Sequence, residues 1–246
     1  MKVTKKELVN CIQGCVNSYN GRHGKPVKGL FKKEKEFKKE HVEGITGRIE
    51  KTSYVIFRGS DGRADWFDNF KFSKKPLSFI KLSKKEVPYK GVNPDIQVHR
   101  GFITQYKVIK AEILKYIIKE RDNGCNRVIV TGHSLGGALA TLCALDIQYH
   151  HPDLEVICIP IASPRVGNKY FTKSFNKRVP ETYRFVYRND SVCKVPYTFL
   201  GYKHVKKKVY LGSKLKWYEK LLFNGNPFDH YPEKNYQPAI KKLKWK

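Results

Sequence analysis

The feature that most constrains the fold is a serine between an apolar run and an alanine-rich run. Residues 127–140 read R-V-I-V-T-G-H-S-L-G-G-A-L-A, so a β-branched strand leads through G-H-S-L-G into a helix. A serine on such a sharp strand-to-helix turn projects its hydroxyl above the sheet, and a Cβ at position 132 or 136 would obstruct the turn. The pattern therefore predicts that Ser134 is a nucleophile in a fold that combines a sheet with helices.

Strand-like and helix-like segments alternate along the chain. Apolar runs predict strands at 53–57, 127–130, 156–161 and 183–187, and helical spacing of apolar residues predicts helices at 5–19, 101–120 and 134–149. This alternation predicts an α/β fold with a central, mostly parallel sheet flanked by helices, in one domain over residues 1–246. The mixed charge run at 32–39 predicts a solvated loop or helix face, and a further strand is expected at 205–211.

The charge balance bears on the partners of the protein. Lys and Arg number 49 against 22 Asp and Glu, which gives a formal net charge of +27, and residues 201–246 contain twelve Lys and no Arg. Arg provides the bidentate contacts that read nucleic acid, whereas Lys acts as a point charge. We therefore expect no nucleic-acid partner and favour peripheral contact with an anionic membrane or lipid interface. The alternative is a compositional bias that mainly affects solubility.

Targeting signals and cysteine usage bear on location. Residues 1–20 lack the long apolar stretch of a signal peptide, and no run approaches the roughly 18 apolar residues of a membrane span. The six cysteines form no C-x-x-C pair, which indicates free, mostly buried thiols in a reducing compartment. We expect a cytoplasmic or peripheral-membrane location, and the sequence carries no signal for the oligomeric state.

A serine nucleophile needs a histidine base and a carboxylate that orients it. On a strand–serine–helix turn of this kind the chain order is Ser, then Asp or Glu, then His, so both partners follow Ser134. Asp190 lies just past the strand predicted at 183–187, and the carboxyl ends of strands hold the site in open α/β sheets. The histidines that follow Asp190 are His204 and His230, and spacing leaves both open. For His133, beside the serine, we expect a packing role.

Five short motifs occur in order along the middle of the chain. They are F-R-G-S at 57–60, V-H-R-G-F at 98–102, G-H-S-L-G-G-A-L-A at 132–140, A-S-P-R-V-G-N at 162–168 and D-S-V-C-K-V-P at 190–196. Together they resemble the signatures of the class 3 lipases, the fungal-lipase-like branch of the α/β-hydrolases. The resemblance spans roughly residues 54–231. It departs from the family at Ile161, where Phe or Thr is common, and at Ala162, where Gly is common.

The resemblance implies which residues form the catalytic site. The family's acid opens the D-x-V-x-x-[LV]-P motif, which is Asp190 here, and its base lies in a late D-H-x-x-Y-like segment, which matches His230. His204 matches a non-catalytic histidine of the family. The oxyanion-hole residues follow the first R-G and the nucleophile, which gives Ser60 and Leu135.

The resemblance also implies a lid and a reaction. A lid follows the R-G-S strand end, here about 61–72, and Trp66, Phe67 and Phe70 would be its substrate-binding or interfacial residues. The implied fold is the α/β-hydrolase fold, and the implied function is a serine ester hydrolase (lipase) that cleaves fatty-acyl esters of glycerolipids through an acyl-enzyme, with no metal or other cofactor. The alternatives are a phospholipase A-type hydrolase on anionic membranes and a non-catalytic lipase-fold interaction module.

Overall fold

The computed structural model describes residues 2–20, 30–60, 73–77, 95–220 and 225–245. Helices and strands alternate over these ranges, as the sequence predicts. The helices are α1 (Lys5–Asn20), α2 (Arg100–Asp122), α3 (Leu135–His150), α4 (Lys169–Arg178), α5 (Trp217–Lys220) and α6 (Gln237–Lys242). The strands are β1 (Lys32–Lys39), β2 (Val42–Ile49), β3 (Thr52–Phe57), β4 (Lys74–Pro76), β5 (Gln97–His99), β6 (Arg127–His133), β7 (Glu155–Ile161), β8 (Gly167–Asn168), β9 (Arg184–Tyr187), β10 (Tyr202–Lys203) and β11 (Lys208–Leu211).

A large, mostly parallel sheet forms the centre of the molecule, as predicted. Its strand order is β1-β2-β3-β6-β7-β9-β11, and a small sheet of order β10-β8-β5-β4 lies beside it. Strands β3, β6, β7, β9 and β11 are parallel, whereas β1 and β2 pair antiparallel. In the register, Phe57 is opposite Gly132 and Gly132 is opposite Pro160. The carboxyl ends of β3, β6 and β7 therefore meet at one edge, where α/β sheets hold their sites.

Each face of the sheet has its own hydrophobic core. Side chains alternate along β3, so that Val55 and Phe57 pack with α2 and α3, whereas Tyr54 and Ile56 pack with α1 and α6. All six cysteines are buried with free thiols, as the sequence predicts. Within the described ranges no helix is long and apolar enough to cross a membrane.

The prediction for residues 32–39 was wrong, because this charged run is strand β1. Its buried apolar side chain, Phe37, packs edge-on against Phe57 at a ring-centroid distance of 5.5 Å. The strand lies at the edge of the sheet and pairs with β2, which the sequence did not predict. An edge strand can expose charged side chains, so tertiary pairing overrides the polar pattern. The last strand, expected at 205–211, begins only at Lys208.

Close backbone packing defines the turn between β6 and α3. A Cβ on Gly132 would lie 2.3 Å from the carbonyl oxygen of Gly136 and 2.9 Å from that of Phe57. A Cβ on Gly136 would likewise lie 2.3 Å from the Phe57 carbonyl oxygen. Because these neighbours are backbone atoms, they cannot rotate away as a side chain would. Both glycines are therefore required for β3, β6 and α3 to approach one another.

We expect Gly132→Ala to lower the free energy of unfolding by about 2–3 kcal/mol, since overpacking a rigid site forces the backbone to shift. Gly124→Ala is the control, because Gly124 has φ +84° and a Cβ there would meet nothing within 4 Å. That control should cost only about 1 kcal/mol from backbone strain. Urea unfolding measures both variants, and equal losses would contradict the close-packing account.

Candidate active site

Ser134 occupies a strained turn at the carboxyl end of β6. Its φ and ψ are 60° and −126°, a conformation that costs a residue with a Cβ roughly 1–3 kcal/mol. Its N–H donates to the Ile161 carbonyl at 3.0 Å, and its own carbonyl accepts from the Gly137 N–H at 2.9 Å as α3 begins. The Ser134 hydroxyl caps none of the described helix N–H groups. The turn therefore leaves this hydroxyl uninvolved in capping α3.

The structure brings Asp190 and His230 into direct contact. The His230 Nδ1–H donates to the Asp190 carboxylate, with distances of 2.9 Å to Oδ2 and 3.1 Å to Oδ1. With the proton on Nδ1, the Nε2 lone pair of His230 is available to accept a proton. Both residues are buried, since Asp190 is 1% exposed and His230 is 7% exposed. A backbone bridge between Asn226 and Asp190 also holds the segment that carries His230 beside Asp190.

Tyr236 is a site residue that the sequence reasoning missed. Its hydroxyl donates to Asp190 Oδ2 at 2.6 Å and accepts the Tyr187 N–H at 2.9 Å. Burial, together with the charge of Asp190, holds the pKa of Tyr236 well above its ordinary value, so the hydroxyl keeps its proton. Tyr236 lies six residues after His230, and a π-helical turn over Pro232–Tyr236 brings its hydroxyl to Asp190, which the spacing in the sequence did not predict.

His133 is buried, as predicted, and links the turn of Ser134 to the loop of His230. Its Nε2–H donates to the His230 carbonyl oxygen at 2.9 Å, and its Nδ1 accepts the Tyr19 hydroxyl at 3.0 Å. The rings of His133 and His230 also lie 4.5 Å apart, centroid to centroid. Because His133 precedes Ser134 in the chain, these contacts fix the His230 loop beside Ser134.

His204, the other histidine that spacing leaves open, lies elsewhere. Its Nε2–H donates to the Cys193 carbonyl oxygen at 2.7 Å. Burial and the nearby charges of Arg184 and Arg165 hold its pKa well below the ordinary value, so the ring is neutral at pH 7. The Asp190 carboxylate is thus paired with His230, whereas His204 supports the backbone that follows the acid.

Ser60 and Leu135 line one cavity beside Ser134. The cavity has a volume of about 340 Å³, and Gly59 and Gln105 also line it. Leu135 is the first residue of α3, so its N–H is among the helix donors that lack an intrahelical partner. A Cβ on Gly59 would lie 2.7 Å from the His133 carbonyl and 3.1 Å from the Ser134 Cβ. The chain that follows β3 therefore packs closely against the turn of Ser134, and Ser60 is the next residue after this contact.

The remaining predicted site residues, Trp66, Phe67 and Phe70, lie with the candidate lid at 61–72 outside the described residues. The part of the chain that the structure describes contains no group of three or more His, Cys, Asp or Glu side chains able to hold a metal ion.

Comparison with known proteins identifies the family. The model of the class 3 lipases matches residues 54–200, which is more than half of the chain. A lipase from Rhizomucor miehei is 30% identical over 169 residues, covering 67% of this chain and 43% of that protein. A secreted mono- and diacylglycerol lipase from Fusarium solani is 28% identical over 167 residues, covering 68% of this chain and 46% of that protein. The chain thus spans less than half the length of these curated relatives.

Solved structures agree on the fold. The propeptide complex of Rhizomucor miehei lipase superposes with a TM-score of 0.72 at 23% identity, covering 95% of this chain and 81% of that one. A lipase from Rhizopus microsporus var. chinensis gives a TM-score of 0.68 at 26% identity, covering 85% and 75%. These similarities confirm the α/β-hydrolase fold, and with the family match over 54–200 they show that the chain belongs to the class 3 lipases.

Proposed function

We propose that this chain, as a single α/β-hydrolase domain, is a serine ester hydrolase that cleaves fatty-acyl esters of glycerolipids. The observation that carries the proposal is the hydrogen bond from His230 Nδ1 to the buried Asp190 carboxylate. The backbone carbonyl of His230 also accepts a hydrogen bond from His133, which precedes Ser134 in the chain. A neutral histidine held in this tautomer is suited to take a proton from a serine hydroxyl. An interaction module without catalysis would not require this arrangement.

The proposed reaction is acyl transfer in two steps. His230 Nε2 takes the Ser134 proton as Oγ attacks the ester carbonyl carbon, and it then gives that proton to the departing alcohol oxygen as the ester bond breaks. In the second step His230 takes a proton from water, whose oxygen attacks the acyl-enzyme. The fatty acid leaves as Ser134 regains its proton. Asp190 stabilises the positive charge that His230 carries in each step.

Ser60 and Leu135 are the proposed oxyanion donors. Leu135 offers a backbone N–H at the start of α3, where the helix dipole favours negative charge. Ser60 can donate both an N–H and a hydroxyl, and it lines the same cavity. Donors fixed before the reaction stabilise the developing oxyanion without reorganisation, and losing one costs roughly 10²–10³ in rate in comparable enzymes.

The lid and the lipid interface complete the proposal. Residues 61–72, with Trp66, Phe67 and Phe70, are the proposed lid, and the net charge of +27 supports peripheral contact with anionic lipid. The alternative of a phospholipase A is supported by that charge and by a chloroplastic phospholipase A(1) from Arabidopsis thaliana that is 30% identical over 159 residues. Neutral glycerolipid esters are preferred here because secreted mono- and diacylglycerol lipases from two Penicillium species are 36% identical over 121 residues, whereas the phospholipase A1 relatives are 27–30% identical over longer stretches.

Ser134→Ala should reduce kcat on p-nitrophenyl esters by about 10⁴-fold or more, because it removes the nucleophile. Hydrolysis rates are measured on a series of esters from acetyl to palmitoyl. A rise in rate as a long-chain ester exceeds its solubility limit is the result expected of a lid that opens at a lipid interface. Full activity of Ser134→Ala would overturn the proposed function. Release of fatty acid from triolein and from phosphatidylcholine, measured by titration, separates the lipase from the phospholipase A.

His230→Gln should be as inactive as Ser134→Ala, whereas the matched His204→Gln should keep kcat within a few-fold of the wild type. Glutamine can still donate to the Cys193 carbonyl oxygen at position 204, but it cannot act as a base at position 230. The ester assay with both variants decides between the two histidines, and the reverse pattern would reassign the base.

Tyr236→Phe should lower kcat about tenfold and leave KM within about twofold, because a hydrogen bond to a charged acceptor is lost while substrate contacts stay intact. The control is Tyr183→Phe, which removes a hydroxyl that donates to Glu181, outside the site. Steady-state kinetics compares the two variants. A kcat for Tyr236→Phe equal to that of the control would show that Tyr236 does not position the acid.

A further inference from the structure

A basic groove opens beside the end of strand β11. Its volume is about 520 Å³, and its lining contains three lysines. Among the residues that the structure describes, the lining includes no Asp or Glu. We call this cavity the lysine groove, and the residues that characterise it are Tyr187, Tyr210, Gly212, Lys234, Lys242 and Lys244.

Large aromatic side chains stand in solvent on the two chain segments next to this groove. Trp217 is 75% exposed, Phe228 is 71% exposed and Tyr218 is 50% exposed. Single exposed apolar residues are ordinary, but several around one polar cavity mark an interaction surface. Aromatic rings are the side chains that settle at the boundary between lipid headgroups and acyl chains.

Specific contacts tie both aromatic segments to the groove. Tyr210 lines the groove, and its hydroxyl donates to the Ser213 carbonyl oxygen at 3.1 Å, on the segment that carries Trp217. Asn235 also lines it, and its side-chain amide donates to the Phe228 carbonyl oxygen at 2.6 Å. On the other side, the Asn189 side chain donates to the Glu219 carbonyl oxygen at 2.8 Å, which anchors α5 to the turn that precedes Asp190.

The charges around the groove are predominantly positive. Lys214 and Lys216 are exposed on the segment that carries Trp217. The carboxylate of Glu219 pairs with Arg188, and that of Asp229 is buried and accepts the Asn189 N–H at 3.0 Å. Glu233 is an exposed acid on this side of the molecule. The groove and the Trp217 segment thus carry five lysines, whereas Glu233 is the exposed acid beside them and the other two carboxylates are held by partners within the protein.

We propose that the lysine groove, with Trp217 and Phe228 beside it, docks the protein on a bilayer by binding the anionic headgroups of its phospholipids. Lysines attract the headgroup phosphates as point charges, and the aromatic rings insert at the level of the headgroups. Phe228 is two residues from His230, so docking through this surface brings the catalytic site to the lipid. The purpose of docking, which is to bring the catalytic site to its substrate, rests on the proposed function, but docking itself requires no catalysis.

The test is co-sedimentation of the full chain with phosphatidylcholine vesicles that contain or lack 30% phosphatidylglycerol. The substitution set Lys234→Glu, Lys242→Glu and Lys244→Glu should weaken binding to the anionic vesicles by about tenfold or more, since each lysine near such a surface contributes to attraction. Wild-type binding should also weaken steeply from low to high salt, because exposed charges are screened.

The matched control makes the same charge change on α4, with Lys169→Glu, Lys173→Glu and Lys177→Glu. These lysines are exposed, and α4 packs on the opposite face of the sheet from the groove. Both sets lower the net charge by the same amount, so a general electrostatic effect would weaken binding equally. Equal losses, or equal wild-type binding to neutral and anionic vesicles, would overturn the proposal.

The aromatic contribution has its own test. Trp217→Ala should weaken vesicle binding about tenfold, whereas Tyr170→Ala on α4 should leave it within about twofold. Thermal unfolding checks that every variant is folded. Hydrolysis of soluble p-nitrophenyl butyrate should stay within about twofold for all of them, so an inactive wild type that binds anionic vesicles would refute the proposed function alone. Binding unaffected by Trp217→Ala would remove the aromatic part of the surface.

Discussion

The buried carboxylate of Asp190 sets the arrangement of the site, because a charge removed from water must be met by hydrogen-bond donors. Its donors are the Val192 N–H, two residues along the chain at 2.9 Å, and the His230 ring and Tyr236 hydroxyl of the C-terminal segment. Each donor fixes the segment that carries it. Hydrogen bonds to Asp190 therefore hold the C-terminal segment near the carboxyl end of β9, and the same bonds position His230.

The parts of the molecule that were predictable are those whose signal is local. Ser134 stands between an apolar strand and an alanine-rich helix, so its turn follows from neighbouring residues alone. Strand β1 was not predictable, because its pairing with β2 and the packing of Phe37 on Phe57 depend on residues far along the chain. The prediction of His230 over His204 required the family resemblance. The backbone bridge between Asn226 and Asp190, which lies beside the His230–Asp190 contact, cannot be read from the spacing of residues in the sequence.

The backbone of the site is held in conformations that its residues do not favour. Ser134 has φ 60°, and Ala162, at a position where glycine is common in the family, has φ 53°. These two residues end adjacent parallel strands, and the Ala162 N–H donates to the Phe185 carbonyl oxygen at 3.0 Å. Hydrogen bonds to neighbouring strands thus hold both turns in place. Backbone strain of this kind persists where the surrounding structure holds a residue in this way.

The lysines of strand β1 have a consequence for how copies of this protein meet one another. As the described residues define the large sheet, β1 and β11 are its two outer strands, and both carry exposed lysines. An unpaired strand edge is a template for edge-to-edge association, and lysine side chains discourage it because another copy would bring like charge to the same place. The exposed lysines on both outer strands thereby act against edge-to-edge aggregation of the sheet between copies of the protein.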